Sequence, residues 1–189
     1  MHGTEAPSAW VRRWAHLIPS GSTVLDVACG AGRHLRWLRS LGHPVVGVDR
    51  SAEALAACDG LGELLLADIE NGPWPLTGRQ FGAVVVTNYL WRPLLPTIVD
   101  SVAAGGVLVY ETFALGNETV GRPARPEFLL APGELLRACQ GLRVVAYEDG
   151  FLDEPARFVQ RITAVRELPQ AGEPSRHLLS IAASVLSCK

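Results

Sequence analysis

A chain of 189 residues, 48% hydrophobic and 19% charged, is long enough for one domain with a sizeable core and too apolar for a disordered or fibrous protein. Its 17 basic and 19 acidic residues leave a formal net charge of −2, which gives no long-range attraction to nucleic acid or to an anionic membrane. Four widely spaced cysteines (Cys29, Cys58, Cys139 and Cys188) without a CxxC pair argue against zinc and dithiol redox chemistry, and no apolar run reaches the ~18 residues of a membrane span.

The N-terminal stretch shows no apolar core of a signal peptide, so a soluble cytoplasmic chain with reduced thiols is expected. Residues 1–20 read as a helical cover: "SAWVRRWAHLI" is amphipathic, with Trp10 and Trp14 four apart and facing the core. "STVLDVAC" (22–29) is a strand apolar on both faces. "GRHLRWLRSLG" follows as a helix, with Leu35, Leu38 and Leu41 on one side and Gly42 as its stop. "PVVGVD" (44–49) is the second strand, and Ser51 caps the next helix, "SAEALAACDG". "ELLLAD" (63–68) is the third strand, "ENGPWPLTGRQ" a Gly/Pro loop and "FGAVVVTNYL" the fourth strand. "RPLLPTIVDSVAAGG" (92–106) is predicted as a helix entered through prolines and closed by glycines, and "VLVYETF" (107–113) as the fifth strand.

A long aperiodic segment, 114–131, precedes the short helix "PGELLRACQG". "LRVVAYED" and "ARFVQRITAVRE" are joined so closely that they must pair antiparallel. Residues 168–189 are an appendage, with "HLLSIAASVL" as a candidate last helix. The whole is expected to be a single α/β domain over residues 1–189: a Rossmann-like, doubly wound, mostly parallel seven-stranded sheet with an antiparallel C-terminal strand.

In such folds ligands bind outside the carboxyl ends of the strands. Three acids stand at successive ends: Asp26 near the first, Asp49 at the second and Asp68 at the third. Any one of them has a ready structural role as a turn residue, but three in succession point to a ligand. The turn between them departs from the dinucleotide fingerprint GxGxxG: Gly30 and Gly32 fit its first two positions and Leu35 occupies the third. Read from Asp26, the acid and the small residues Ala28, Gly30 and Gly32 alternate.

This resembles motif I of the class I S-adenosylmethionine-dependent methyltransferases, with Ala28 in place of a glycine. Over roughly residues 8–166 the chain looks closest to small bacterial methyltransferases of the tellurite-resistance TehB-like group, whose Gly-x-Gly-Arg pattern ends here at Arg33. The resemblance implies S-adenosylmethionine as cofactor. Asp26, Ala28, Cys29, Gly30, Gly32 and Arg33 would then surround its amino-acid tail, with Arg33 on the carboxylate. Asp49 and Arg50 would lie at the ribose, Asp68 and Ile69 at the adenine, and Asn88 beside the sulfur.

The acceptor side is less legible. "TNYLWRPL" stands where the family places its motif IV, and without a proline pair it does not read as an amino-group methylase of nucleobases or glutamine. Glu111, Asn88 and Tyr89 are the candidate catalytic or polar contacts, with Glu111 at a strand end as a candidate base. Trp91, Arg122 and Arg125 are candidate acceptor contacts, the two arginines favouring an anionic group. The segment 114–131 reads as either a lid or a disordered loop, with Phe128, Leu129 and Leu130 available to pin it. The five histidines form no cluster, so no metal site is expected, and His34, inside the cofactor turn, reads as structural.

The expected activity is methyl transfer in line to a small-molecule acceptor (anionic, thiol or metalloid), with no nucleic acid or membrane partner; the acceptor's identity and the oligomeric state stay open. Two rivals stand beside it: a non-catalytic S-adenosylmethionine-binding module, and an NAD-dependent oxidoreductase, which Leu35 and the lack of a Tyr-x-x-x-Lys pair disfavour.

Overall fold

The structure, a computed structural model, describes residues 6–169 and 175–179. The apolar runs form strands β1 (Val24–Val27), β2 (Val45–Asp49), β3 (Glu63–Leu66), β4 (Phe81–Thr87), β5 (Val102–Phe113), β6 (Arg143–Leu152) and β7 (Arg157–Val165). They make one sheet in the order β3-β2-β1-β4-β5-β7-β6. The first five are parallel to one another, and β7 runs antiparallel to both β5 and β6. The chain order reverses between β1 and β4, and a ligand crevice opens at such a switch point.

Helices α1 (Ala9–Trp14), α2 (Arg33–Ser40) and α3 (Ala52–Ala56) cover one face, and α4 (Leu95–Asp100) and α5 (Glu134–Ala138) the other. Period-two alternation divides the strands between two cores. Val24, Val85, Val109 and Val165 meet Trp10, Trp14, Leu35 and Leu38; Leu25, Val84, Leu108 and Ile162 meet Leu95, Ile98 and Leu135. Leu35 fills the space that a third fingerprint glycine would leave, and Gly47 of β2 makes room for it. A Cβ on Gly47 would lie 2.8 Å from Leu35 Cδ1 and 2.9 Å from Cys29 Sγ.

The helix expected over 92–106 is corrected. A 3-10 turn (Arg92–Leu94) leads into α4, which stops at Asp100, and Val102 already belongs to β5. Phe81 pairs with Val102 while Ala83 pairs with Val107, so residues 103–106 bulge opposite Gly82 alone. Gly106 makes the bulge feasible, because a Cβ there would lie 2.9 Å from the carbonyl oxygens of Phe81, Gly82 and Ala103. Glycines that look like a helix stop are therefore a strand's irregular first half.

The long segment 114–131 is built rather than loose. Leu129 and Leu130 are buried and Phe128 half-buried. Arg92 donates to Glu134 through Nε (2.7 Å) and to the carbonyls of Glu127 and Leu129 (both 2.8 Å). Buried Gln160 donates to the Ala131 carbonyl, and buried Asn117 donates to that of Pro123. The predicted last helix, 177–186, lies outside the described residues from 180 onward.

Candidate functional site

The β1–α2 turn runs through left-handed backbone at Ala28 (φ 54°), Gly30 (φ 52°) and Gly32 (φ 75°). A side chain on Gly32 would also meet Cys58 Sγ at 2.6 Å, so only glycine closes the turn against α3. Asp26, 1% exposed, stands at the mouth of the turn. Its Oδ2 has no hydrogen-bond partner among the described residues, and the nearest charged-type group is His34 Nδ1 at 3.7 Å. A buried carboxylate oxygen with unused lone pairs is costly unless a donor reaches it.

Asp49 stitches two turns together. Oδ2 accepts the Gly30 N–H at 2.7 Å and Oδ1 the Ser51 N–H at 2.9 Å. Each oxygen keeps one further acceptor position. Asp68 lies two residues past β3 and organises an exposed turn, accepting the Glu70 and Asn71 N–H groups and the Asn71 amide. The Asn71 side chain first, and those backbone donors second, hold its carboxyl below the usual range.

Ala28, Asp49, Arg50, Asp68, Ile69 and Tyr89 line one pocket of about 200 Å³. The Tyr89 hydroxyl is buried there without a hydrogen-bond partner among the described residues. Burial, then the nearby carboxylates of Glu70 and Asp68, push its pKa well above the ordinary phenol value, so it stays a neutral donor. Cys29 is 6% exposed, and burial with Asp26 and Asp49 beside it keeps its thiol protonated. Arg33 opens α2 and is half-buried.

A larger hollow, about 540 Å³, lies at the opposite edge between Arg39, His43 and Glu63. Its cations are already engaged: Arg39 with the carbonyls of Gly60 and Leu61, Arg79 bidentate with Glu63 at 2.7 and 2.8 Å. Of the two, the crevice at the strand ends is the one with buried unpartnered atoms beside it, Asp26 Oδ2 and the Tyr89 hydroxyl.

On the acceptor side, register decides what meets. Asp26 is opposite Val85 and Val85 opposite Val109, so Glu111 stands one side-chain pair nearer the carboxyl edge on the same face. Glu111 is 2% exposed. It accepts from Ser8 Oγ (3.0 Å) and Arg161 (3.3 Å), with Arg157 at 3.8 Å. Asn88, exposed at φ 55°, donates its backbone N–H to the Glu111 carbonyl.

Trp91 packs half-buried on the α4/α5 core. Arg122 and Arg125 are not brought to this cluster: both are exposed, and Arg125 pairs with Glu127 and stacks on Phe128. Arg157, Arg161 and Ser8, which carried no local signal, take that position instead. Ser8 and Glu111 are 103 residues apart and Arg161 and Glu111 50 apart, contacts that only the topology creates.

Residues 24–106 match the family described as a methyltransferase domain. The chain is 30% identical over 149 residues to a tRNA U34 carboxymethyltransferase of Klebsiella pneumoniae, 69% of this chain and 42% of that protein. It is 43% identical over 51 residues to a ubiquinone biosynthesis O-methyltransferase of Paraburkholderia xenovorans, 27% of this chain and 21% of that one. The chain thus spans less than half the length of these curated relatives. Among solved structures, TehB from Haemophilus influenzae superposes with a TM-score of 0.67 at 23% identity, over 87% of this chain and 63% of that one. A TehB-like methyltransferase from Corynebacterium glutamicum gives 0.64 at 18% identity, over 87% and 90%. A glycopeptide N-methyltransferase complexed with S-adenosylhomocysteine gives 0.59 at 19%, over 86% and 90%. Residues 24–106 thus resemble a methyltransferase domain, and the chain has the fold of solved S-adenosylmethionine-dependent methyltransferases, TehB and the TehB-like protein among them.

Proposed function

We propose that the chain transfers the methyl group of S-adenosylmethionine to a small-molecule acceptor in the cytoplasm. The observation that carries this reading is the buried, unpartnered Oδ2 of Asp26 beside a pocket bearing Asp49, Asp68, Ile69 and Tyr89. The donor's sulfonium is itself a good leaving group, so alignment of an acceptor lone pair with the S–CH₃ bond is most of what the protein must supply.

The residues divide that work. Asp26 receives the ammonium of the amino-acid tail, a cation matched to its unused acceptor. Arg33 faces the tail's carboxylate, and Ala28, Gly30 and Gly32 let backbone approach closely. Asp49, with one acceptor position left on each oxygen, takes the ribose hydroxyls next to Arg50. Asp68 and Ile69 border the adenine, where the Tyr89 hydroxyl finds a partner. Cys29, held as a thiol, packs beneath the turn. Asn88 and Glu111 face the reacting side, and Glu111 with Arg157 and Arg161 offers both acceptor and donor groups to an incoming molecule. Trp91 borders the same side, whereas Arg122 and Arg125 stand outside it on the outer segment, Arg125 paired with Glu127.

Calorimetry with S-adenosylmethionine and NAD tests the donor: binding of NAD alone overturns it. Labelled donor incubated with metabolites, thiols and metalloid oxyanions tests the acceptor. Firm donor binding without transfer to any of them supports a binding module instead. The curated relatives that act on tRNA U34 favour one second reading, so tRNA belongs in the same panel; labelled tRNA with unlabelled metabolites would establish it.

A further inference from the structure

His34, second residue of α2 and 2% exposed, has no part in the roles above. Its ring is held from two sides. The Ser8 backbone N–H donates to Nε2 at 3.2 Å, so a neutral ring carries its proton on Nδ1. Nδ1 stands 3.7 Å from Asp26 Oδ2, the oxygen without a hydrogen-bond partner among the described residues. That separation is too long for a hydrogen bond, so the N–H faces the carboxylate without consuming its lone pairs.

Ser8 is itself fixed. Its Oγ caps α1 by accepting the Trp10 and Val11 N–H groups (3.1 and 3.5 Å) and donates to Glu111. Trp10, Val11 and Trp14 are each 1% exposed, and Trp10 Nε1 donates to the Ile162 carbonyl across the sheet. The position of Ser8, and through it the tautomer of His34, is thus set by the docking of the N-terminal helix.

We infer that His34, held in one tautomer by Ser8, is a positioning residue that keeps Asp26 aimed at the ammonium group of the donor's amino-acid tail; this rests on the donor reading given above. The Nδ1–H, facing Oδ2, favours one orientation of the carboxylate. None of the hydrogen bonds of Asp49 or Asp68 involves His34, so the adenosine half of the pocket does not depend on it.

Calorimetry of the full chain with S-adenosylhomocysteine and with 5′-methylthioadenosine tests this, because the second ligand keeps the nucleoside and thioether and lacks the amino-acid tail. His34→Leu keeps a buried side chain of similar size without the N–H. His34→Gln restores an acceptor for Ser8 and an N–H for Asp26. S-adenosylhomocysteine is expected to bind about tenfold more weakly to His34→Leu and within about threefold of wild type to His34→Gln, with 5′-methylthioadenosine unchanged in both.

Ser8→Pro removes the backbone donor at a φ of −50°, which proline tolerates, and Ser8→Ala removes only the hydroxyl. The proline variant is expected to show the tail-specific loss relative to the alanine variant, and it carries the test if His34→Leu does not fold. Unchanged S-adenosylhomocysteine affinity in His34→Leu, an equal loss for both ligands, or the same loss in His34→Gln overturns the role of His34. A wild type that binds neither ligand overturns the donor reading instead.

Discussion

Ala28 is a non-glycine residue at φ 54° in the turn that faces the cofactor pocket. An L-residue in this region costs about 1–2 kcal/mol, whereas glycine there costs about 0.4–1 kcal/mol in unfolded-chain entropy. The first term is the larger, so Ala28→Gly is expected to raise the melting temperature, which differential scanning calorimetry measures; a lower value would mean that the Ala28 methyl packs usefully in the pocket. Asp49 is the contrasting case, because the proposed ribose contact would come from a carboxylate that the fold already uses. Asp49→Ala leaves the Gly30 and Ser51 N–H groups without their acceptor and, on the proposed reading, removes the ribose contact as well. Donor affinity is expected to fall by roughly 1–3 kcal/mol, about 5- to 150-fold, by titration calorimetry. A folded variant with unchanged affinity would refute the ribose role.

At the scale of elements, strands were legible wherever the apolar run was continuous and misread where it was interrupted. β1, β2 and β4 are flanked on both sides and rich in Val, a pattern that survives without knowledge of their neighbours. The first half of β5 is "VAAGG", whose pairing with Phe81 depends on a bulge that nothing local announces. The acids at the strand ends were visible for the same reason as the strands: each sits in or just past its own strand. His34 was visible only as a lone histidine, and Ser8, Arg157 and Arg161 not at all, because their partners come from elements far away in the chain. The segment 114–131 shows how such distant contacts order a stretch without periodicity. Its hub is Arg92, which joins two of its carbonyls to Glu134 on α5, while Glu134 also accepts the Ala131 N–H. Arg92→Ala is expected to cost about 1–3 kcal/mol and to speed proteolytic cleavage between residues 118 and 127, read by limited proteolysis with mass spectrometry. Cleavage at the wild-type rate would show that Leu129, Leu130 and Gln160 hold the segment unaided.

For the whole molecule, the decisive feature is that the two halves of the site rest on different parts of the sheet. The groups proposed to hold the donor hang from β1, β2 and β3, each at or just past a strand end, while Glu111, Arg157 and Arg161 belong to the antiparallel β5–β7 pair. The N-terminal helix spans both, since Ser8 touches His34 on one side and Glu111 on the other. A ligand that fills the donor half should therefore tighten the folded state as a unit rather than one loop. Linkage gives the size: a ligand at about one hundred times its dissociation constant adds about 2.7 kcal/mol to the folded state. For a domain of this length each kcal/mol is worth about 2–4 °C, so S-adenosylhomocysteine at that excess should raise the melting temperature by about 5–10 °C. NAD at the same concentration should leave it unchanged, because Leu35 stands where the dinucleotide fingerprint needs its third glycine. Equal shifts with both ligands would mean that the crevice accepts any adenosine, and that Asp26 adds nothing to the choice between them.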